Sequence, residues 1–260
     1  METRTPSLEV LFAPAEFAAL TDRDLTRSTC VVFDVLRATT SMVTALANGA
    51  SAILPAAEIP ESLALQARAP GSLLAGERHG IRIRADLTGG VDFDLGNSPR
   101  EFTRERVAGK SIVMTTTNGT RALRSCASAE EVLVCALVNL EATAHHLREH
   151  PPTHLLLVCG GTFDQMAYED ILAAGALCDS LWPFYAEGAV ADSALAARKL
   201  YDSEKGDLFA ALARSRNGRR LLARPELSED VRCCASRNSF PLVAVLQADG
   251  RVVAKRPATG

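Results

Sequence analysis

Short apolar runs that stop abruptly on polar residues recur along this chain, and most are followed by a helical pattern. Thr29–Asp34 (TCVVFD) ends on a carboxylate, and Ser72–Ala75 delivers Gly76-Glu77-Arg78. Ser111–Thr115 runs into Thr116-Thr117-Asn118, and His154–Cys159 into Gly160-Gly161-Thr162. Near-continuous apolar runs suit strands covered on both faces, the usual state of parallel strands. Between them lie helical patterns. Arg37-Ala38-Thr39-Thr40 leads into SMVTALANGA, closed by Asn48-Gly49, and Glu61–Arg68 follows. A further helix opens at about Thr120, Leu140–Glu149 stops at Pro151-Pro152, and Tyr168–Trp182 is strongly amphipathic. Ser51–Leu54, ending at Pro55, and Glu131–Val138 complete the strand set, with right-handed crossovers between parallel neighbours. Residues 188–224 read as two helices. Phe240–Leu246 and Arg251–Ala254 read as a closing hairpin across Asp249-Gly250. The expected fold is α/β: a three-layer α/β/α unit with a largely parallel sheet and a helical C-terminal portion. One unit spans 1–260, and any subdomain boundary falls near residue 150.

The 260 residues are 47% hydrophobic and only 5% aromatic, enough for a sizeable and mostly aliphatic core. A net charge of −3 argues against general nucleic-acid binding, which usually shows a basic face. Seven cysteines without a C-x-x-C pair suggest reduced thiols acting as small hydrophobes in the cytosol. Glu2, Arg4, Glu9 and Glu16 break any signal-peptide pattern, and no apolar run approaches the roughly 20 residues of a membrane span. The expectation is a cytoplasmic protein with no nucleic-acid or membrane partner. A homodimer is compatible with its size and aliphatic composition.

Ser111–Leu123 (SIVMTTTNGTRAL) concentrates the chemistry. Three threonines, Asn118 and Gly119 stand between a strand and a helix N-terminus, where free N–H groups and the helix dipole favour an anion. Arg121 adds a guanidinium in the first helical turn. An ordinary capped strand-to-helix turn is the plainer reading, and five small polar residues with an arginine tip the balance to a phosphate or carboxylate site. Known phosphate motifs do not fit. Gly109-Lys110-Ser111 lacks the earlier P-loop glycine, where Arg104 stands, and it precedes a strand where a P-loop follows one. Asp34 lacks a second aspartate two residues on, at Leu36, as a haloacid-dehalogenase nucleophile would require. Cys30 and Arg37 are mis-spaced for a cysteine phosphatase, and neither a G-x-S-x-G elbow nor a G-x-G-x-x-G fingerprint occurs. His145, His146, His150 and His154 crowd together, but Pro151-Pro152 interrupts them and zinc is not expected.

Carboxylates at strand and helix ends complete the picture. Asp34 follows a buried strand with Arg37 close behind, Glu169-Asp170 opens a helix, and Glu77-Arg78 sits at another strand tip. Each has a plainer use, Asp34 as a cap, Glu169-Asp170 as dipole partners, Glu77-Arg78 as a surface pair. In open α/β sheets, however, ligands bind at the carboxyl ends of strands, where these tips would converge. Carboxylates beside Arg and Thr/Asn donors suit Mg²⁺-assisted chemistry on a phosphate, since Mg²⁺ takes one or two carboxylates plus substrate oxygens. From the residues alone, the ligand is a small anionic, phosphorylated molecule. A phosphometabolite-binding protein without turnover stays open, as does an isomerase or lyase acting on a phosphorylated acid.

Four segments in matching order extend this reading: FDVLRATTSMVTALANGA, FDLGNSPREF, GKSIVMTTTNGTRAL and CGGTFDQMAYEDILAAGAL. Together, from about Thr29 to Leu181, they resemble the 2-phosphosulfolactate phosphatase family. The resemblance implies an α/β fold and Mg²⁺-dependent hydrolysis of 2-phosphosulfolactate to sulfolactate, a step of coenzyme M synthesis. Carried over by motif, Asp34, Arg37 and Asp170 are the expected catalytic residues, with Asp34, Glu169 and Asp170 as metal ligands. Asn97, Ser98, Thr116, Thr117, Asn118, Gly119, Thr120 and Arg121 are the expected phosphoester contacts; Arg78 joins them on its place at a strand tip alone, and Arg121 and Arg37 are expected to hold the phosphate. The last third resembles the family only loosely, and Asp86–Val91 departs from it.

Overall fold

The structure, a computed structural model, describes residues 5–255, so Glu2 and Arg4 lie outside the described residues. Among the described residues eleven strands form one sheet: β1 (Ser7–Leu11), β2 (Ser28–Phe33), β3 (Ala52–Ala56), β4 (Leu73–Arg78), β5 (Ile81–Arg82), β6 (Ser111–Thr115), β7 (Glu131–Cys135), β8 (His154–Cys159), β9 (Ala189–Val190), β10 (Val243–Leu246) and β11 (Val252–Lys255). Their order is β5-β4-β6-β3-β11-β10-β7-β2-β8-β1-β9. The parallel pairings fall in two blocks, β4-β6-β3 and β7-β2-β8-β1-β9. The C-terminal hairpin β10-β11 is inserted between them and is antiparallel to both neighbours. The sheet is therefore largely parallel, with helices on both faces, as the alternating pattern implies.

Three antiparallel steps in a row set the two blocks in opposed directions along the ladder. Their tips meet nonetheless. Adjacent strands rotate by roughly 20–25° each, so over the five steps from β6 to β2 the opposed strands end well short of antiparallel. A single apolar cluster joins Ile53, Ile112 and Met114 of one block to Val32, Val134 and Val158 of the other, around Met42 and Val43 of the Ala38–Ala47 helix. The sheet thus curls about that helix. On its other face Val31, Phe33, Leu155 and Leu157 pack against the Tyr168–Tyr185 and Asp192–Glu204 helices.

Several elements depart from the sequence expectations for local reasons. The seventh strand ends at Cys135, short of Val138, because Asn139 Oδ1 accepts the Ala136 N–H (2.9 Å) and turns the still-apolar chain into a buried 3₁₀ turn, Leu137–Asn139. The third strand runs through Pro55 to Ala56, which is tolerated because the β11 pairing touches β3 at Ile53 alone. The helix after β6 begins at Gly119 rather than Thr120. Residues 188–224 hold a two-residue strand and three helices, Asp192–Glu204, Leu208–Arg214 and Arg216–Leu222. Strand β1 and the Ser228–Ala235 helix carry too little periodicity to read from sequence. All seven cysteines are free, six of them buried. The clustered histidines have ordinary partners, His146 with Glu131 (2.9 Å) and His154 with Ser7 (2.8 Å). No helix among the described residues is long and apolar enough to cross a membrane.

Candidate active site

The tips of β2, β4, β6 and β8 close on one cavity of about 100 Å³, capped by the C-terminal helices. Asp34, Glu77, Asn97, Thr117, Asn118 and Gly161 come from the strand-tip side. Asn217, Arg220, Leu221, Arg224 and Leu227 come from the Arg216–Leu222 helix and the turn after it. Arg37, His79 and Phe163 also line it.

Asp34 follows the buried strand β2 directly. Its Oδ1 accepts the Ala38 N–H at 3.2 Å, and Thr39 Oγ1 accepts its own N–H at 3.1 Å, so it opens the Ala38–Ala47 helix while facing the cavity. Gly119 crowds it: a Cβ there would lie 2.7 Å from Ala38 Cβ and 2.8 Å from Asp34 Oδ2, so only glycine lets β6's turn approach this closely. Burial, reinforced by the nearby charges of Glu77 and Glu169, pushes the Asp34 carboxyl up to about 7, against the opposing N–H groups of Ala38 and Gly119.

The turn expected to cradle an anion is already occupied. Thr117 donates both its N–H (2.9 Å) and its hydroxyl (2.8 Å) to Glu77 Oε1, and Gly80 N–H donates to Glu77 Oε2 (2.7 Å). Thr116 and Thr120 exchange N–H and hydroxyl bonds at 3.3 Å each and lie outside the cavity lining. The donors of these threonines satisfy the chain itself, and the group beside Thr117 is a carboxylate. Arg121 is exposed on its helix and off the lining. Arg78 turns its guanidinium to the Glu77 carbonyl (2.7 Å) and Thr115 Oγ1 (3.2 Å), also off the lining.

Two lining atoms have no partner. The amide oxygens Asn97 Oδ1 and Asn118 Oδ1 are buried and, among the described residues, the only such side-chain atoms left without a hydrogen bond. Asn118 is oriented by donating its amide to the Phe163 carbonyl at 3.0 Å, which turns its oxygen the other way. Unpaired buried acceptors cost about 1–3 kcal/mol each unless something donates to them or coordinates them. Both asparagines line the same cavity as Asp34.

The Glu169-Asp170 pair is buried and committed. Asp170 Oδ1 accepts Val35 N–H (2.8 Å) and Oδ2 accepts Gly161 N–H (3.0 Å), clamping the ends of β2 and β8 together. Burial, then the charges of Asp34 and Glu169, hold the Asp170 carboxyl well above the usual range. Glu169 Oε1 accepts the Asn217 amide at 2.6 Å, and that same amide reaches Thr162 Oγ1 at 2.6 Å, tying the helical cap to the β8 tip. Among the described residues no three His, Cys, Asp or Glu side chains form a ready cation cage.

Arg37 is buried and paired. Its guanidinium donates to Asp230 Oδ2 (2.6 Å) and to the Gly80 carbonyl (2.8 Å), and Ser98 Oγ donates to Asp230 Oδ1 (2.7 Å). Ser98 itself is off the lining. Asp230, on the Ser228–Ala235 helix, escaped the sequence reading, as did Glu77's clamp on Thr117 and the cavity arginines. One signal was present: five arginines fall within residues 214–224 of a chain whose net charge is negative.

A model of the family described as 2-phosphosulpholactate phosphatase matches residues 17–249. A probable 2-phosphosulfolactate phosphatase of Caldanaerobacter subterraneus subsp. tengcongensis is 37% identical over 238 residues, covering 89% of this chain and 92% of its own. Proteins of the same description from Prochlorococcus marinus MIT 9303 (41% identical; 83% and 87% covered) and Gloeobacter violaceus (41% identical; 79% and 83% covered) are similarly close.

Proposed function

The chain belongs to the 2-phosphosulfolactate phosphatase family, and from that membership and the cavity's chemistry we propose that it is a Mg²⁺-dependent phosphatase of small 2-phospho-hydroxy acids. The proposed substrate is 2-phosphosulfolactate, the named substrate of its relatives, and sulfolactate and phosphate are the products. The Mg²⁺ requirement and a place in coenzyme M synthesis are parts of this proposal. The observation that carries it is the company of Asp34 with two unpartnered buried amide oxygens, Asn97 and Asn118, in one small cavity.

That donor set fits Mg²⁺, which prefers oxygen ligands and needs only one or two carboxylates when substrate phosphate and water complete its shell. Asp34, Asn97 and Asn118 would hold the ion. Bound there, Mg²⁺ would supply charge neutralisation for the transferring phosphoryl group. The protein's own part is positioning. Asp34 orients the attacking water, whose oxygen bonds to phosphorus as the ester P–O bond breaks and the hydroxy-acid oxygen leaves with a proton. Glu77 lines the cavity too, but both its oxygens are engaged by Thr117 and Gly80. Both Asp170 oxygens are engaged by Val35 and Gly161, Glu169 Oε1 accepts the Asn217 amide, and neither residue lines the cavity, so we assign them to holding the strand tips and the cap in register rather than to the metal.

Phosphate release from racemic 2-phosphosulfolactate, with Mg²⁺ and then with EDTA, tests this beside phospholactate and phosphoglycolate. Release with Mg²⁺ only, fastest on the sulfonate, is expected. Release from the other acids alone would keep the phosphatase and change the substrate; no release from any would refute it.

A further inference from the structure

We propose that Arg220 and Arg224 form the subsite for the second anionic group of the substrate, its sulfonate or carboxylate, and so set substrate choice. This rests on the phosphatase reading above. A phosphomonoester carries about −1.5 to −2 charges at neutral pH, and a sulfonate or carboxylate adds another. The strand-tip side of the cavity answers that charge poorly, because it presents the carboxylates Asp34 and Glu77 against a single histidine, His79. Arg37 lines the cavity, but its charge is met by Asp230, which is itself fully buried.

The remaining arginines near the cavity sort cleanly by partner. Arg214 pairs with Glu204, Arg216 donates to Gln165 and the Thr162 carbonyl, and Arg219 donates to the Arg214 carbonyl. Arg220 and Arg224 alone both line the cavity and, among the described residues, form no ion pair or side-chain hydrogen bond. Arg220 is held in place by the Phe163 ring, 5.7 Å from its guanidinium carbon, and the Phe163 carbonyl in turn accepts the Asn118 amide. Arg224 is half-buried two residues past the end of the same short helix. A guanidinium presents a planar fork of donors that matches the oxygens of a carboxylate or sulfonate. Oxygen acceptors on one side and free guanidinium groups on the other would seat a two-headed anion, its ester towards Asp34 and its second charge towards the helices.

Calorimetric binding of sulfolactate and of inorganic phosphate, separately, to the wild type and to Arg220→Gln/Arg224→Gln tests this, with steady-state kinetics alongside. Sulfolactate affinity should fall by about ten- to a hundredfold while phosphate affinity stays within about threefold, as loss of charge-assisted bonds to one head group predicts. In turnover the loss should appear in KM, and Arg224→Lys should restore part of it. Equal weakening of both ligands would assign the arginines to the phosphate and overturn the proposal, as would no change in either, or no sulfolactate binding by the wild type. If the wild type binds sulfolactate but releases no phosphate from any ester, the phosphatase reading fails. The subsite is then judged by the calorimetry alone.

Discussion

The two sides of the cavity are built on opposite principles. The strand-tip floor is acidic and nearly every polar group in it is engaged: Glu77 by Thr117 and Gly80, Asp170 by Val35 and Gly161. What it leaves open is oxygen: the amide oxygens of Asn97 and Asn118, in the cavity that Asp34 lines. The helical wall is basic, and what it leaves open is nitrogen, the guanidinium groups of Arg220 and Arg224. A rigid, pre-satisfied floor suits chemistry that needs fixed geometry, because nothing must reorganise as charge develops. Long, partly exposed arginines suit recognition, because they can settle on head groups of slightly different shape.

Substitutions that separate the two sides differ in size. Asp34→Asn should reduce phosphate release by about a thousandfold or more, in the upper range for losing a positioned catalytic group, with sulfolactate binding retained. Asp230→Ala strands the buried Arg37 charge and should lower unfolding free energy by about 3–5 kcal/mol in urea titrations, loosening floor and wall together. Gly119→Ala forces a methyl against Ala38 and Asp34 and should reduce kcat by about ten- to a hundredfold with sulfolactate affinity changed far less. A smaller effect concerns pH. Folded Asp34 keeps its proton up to about 7, whereas the unfolded group releases it near 3.8, so its contribution to stability is full below 3.8 and is lost as pH rises through about 7. Asp34→Asn should therefore stabilise the metal-free protein by about 1–2 kcal/mol at pH 8 and by less at pH 5, read from thermal melts at both. Arg121→Gln, on an exposed helix face away from the cavity, should leave kcat/KM within about threefold of wild type.

This contrast also explains what could be read from sequence. The floor is made of local signals. Each strand tip announces itself as an apolar run ending on polar residues, where Asp34, Glu77, Thr117 and Asn118 stand, whereas Asn97 lies in an irregular segment and rests on the DLGNSP resemblance. The direction of the donors was not legible, because Glu77 reaches Thr117 across forty positions and consumes the N–H that a helix-start argument assigns to an anion. The wall was missed for a related reason. Arg220 lies on a seven-residue helix, Arg224 just past its end, and Asp230 on the short Ser228–Ala235 helix, and nothing local in these short segments says what they cover. The curl of the sheet was hidden too, since a hairpin at the chain's end gives no sign that it inserts between β3 and β7.

The most direct test of the division between floor and wall is to measure kcat, KM and sulfolactate affinity side by side for Asp34→Asn and Arg220→Gln/Arg224→Gln. Turnover lost with affinity kept in the first variant, and affinity lost with kcat kept at saturating substrate in the second, is the expected pair of results. The same parameter failing in both variants would contradict it, and would mean that the cavity binds and reacts as one undivided site.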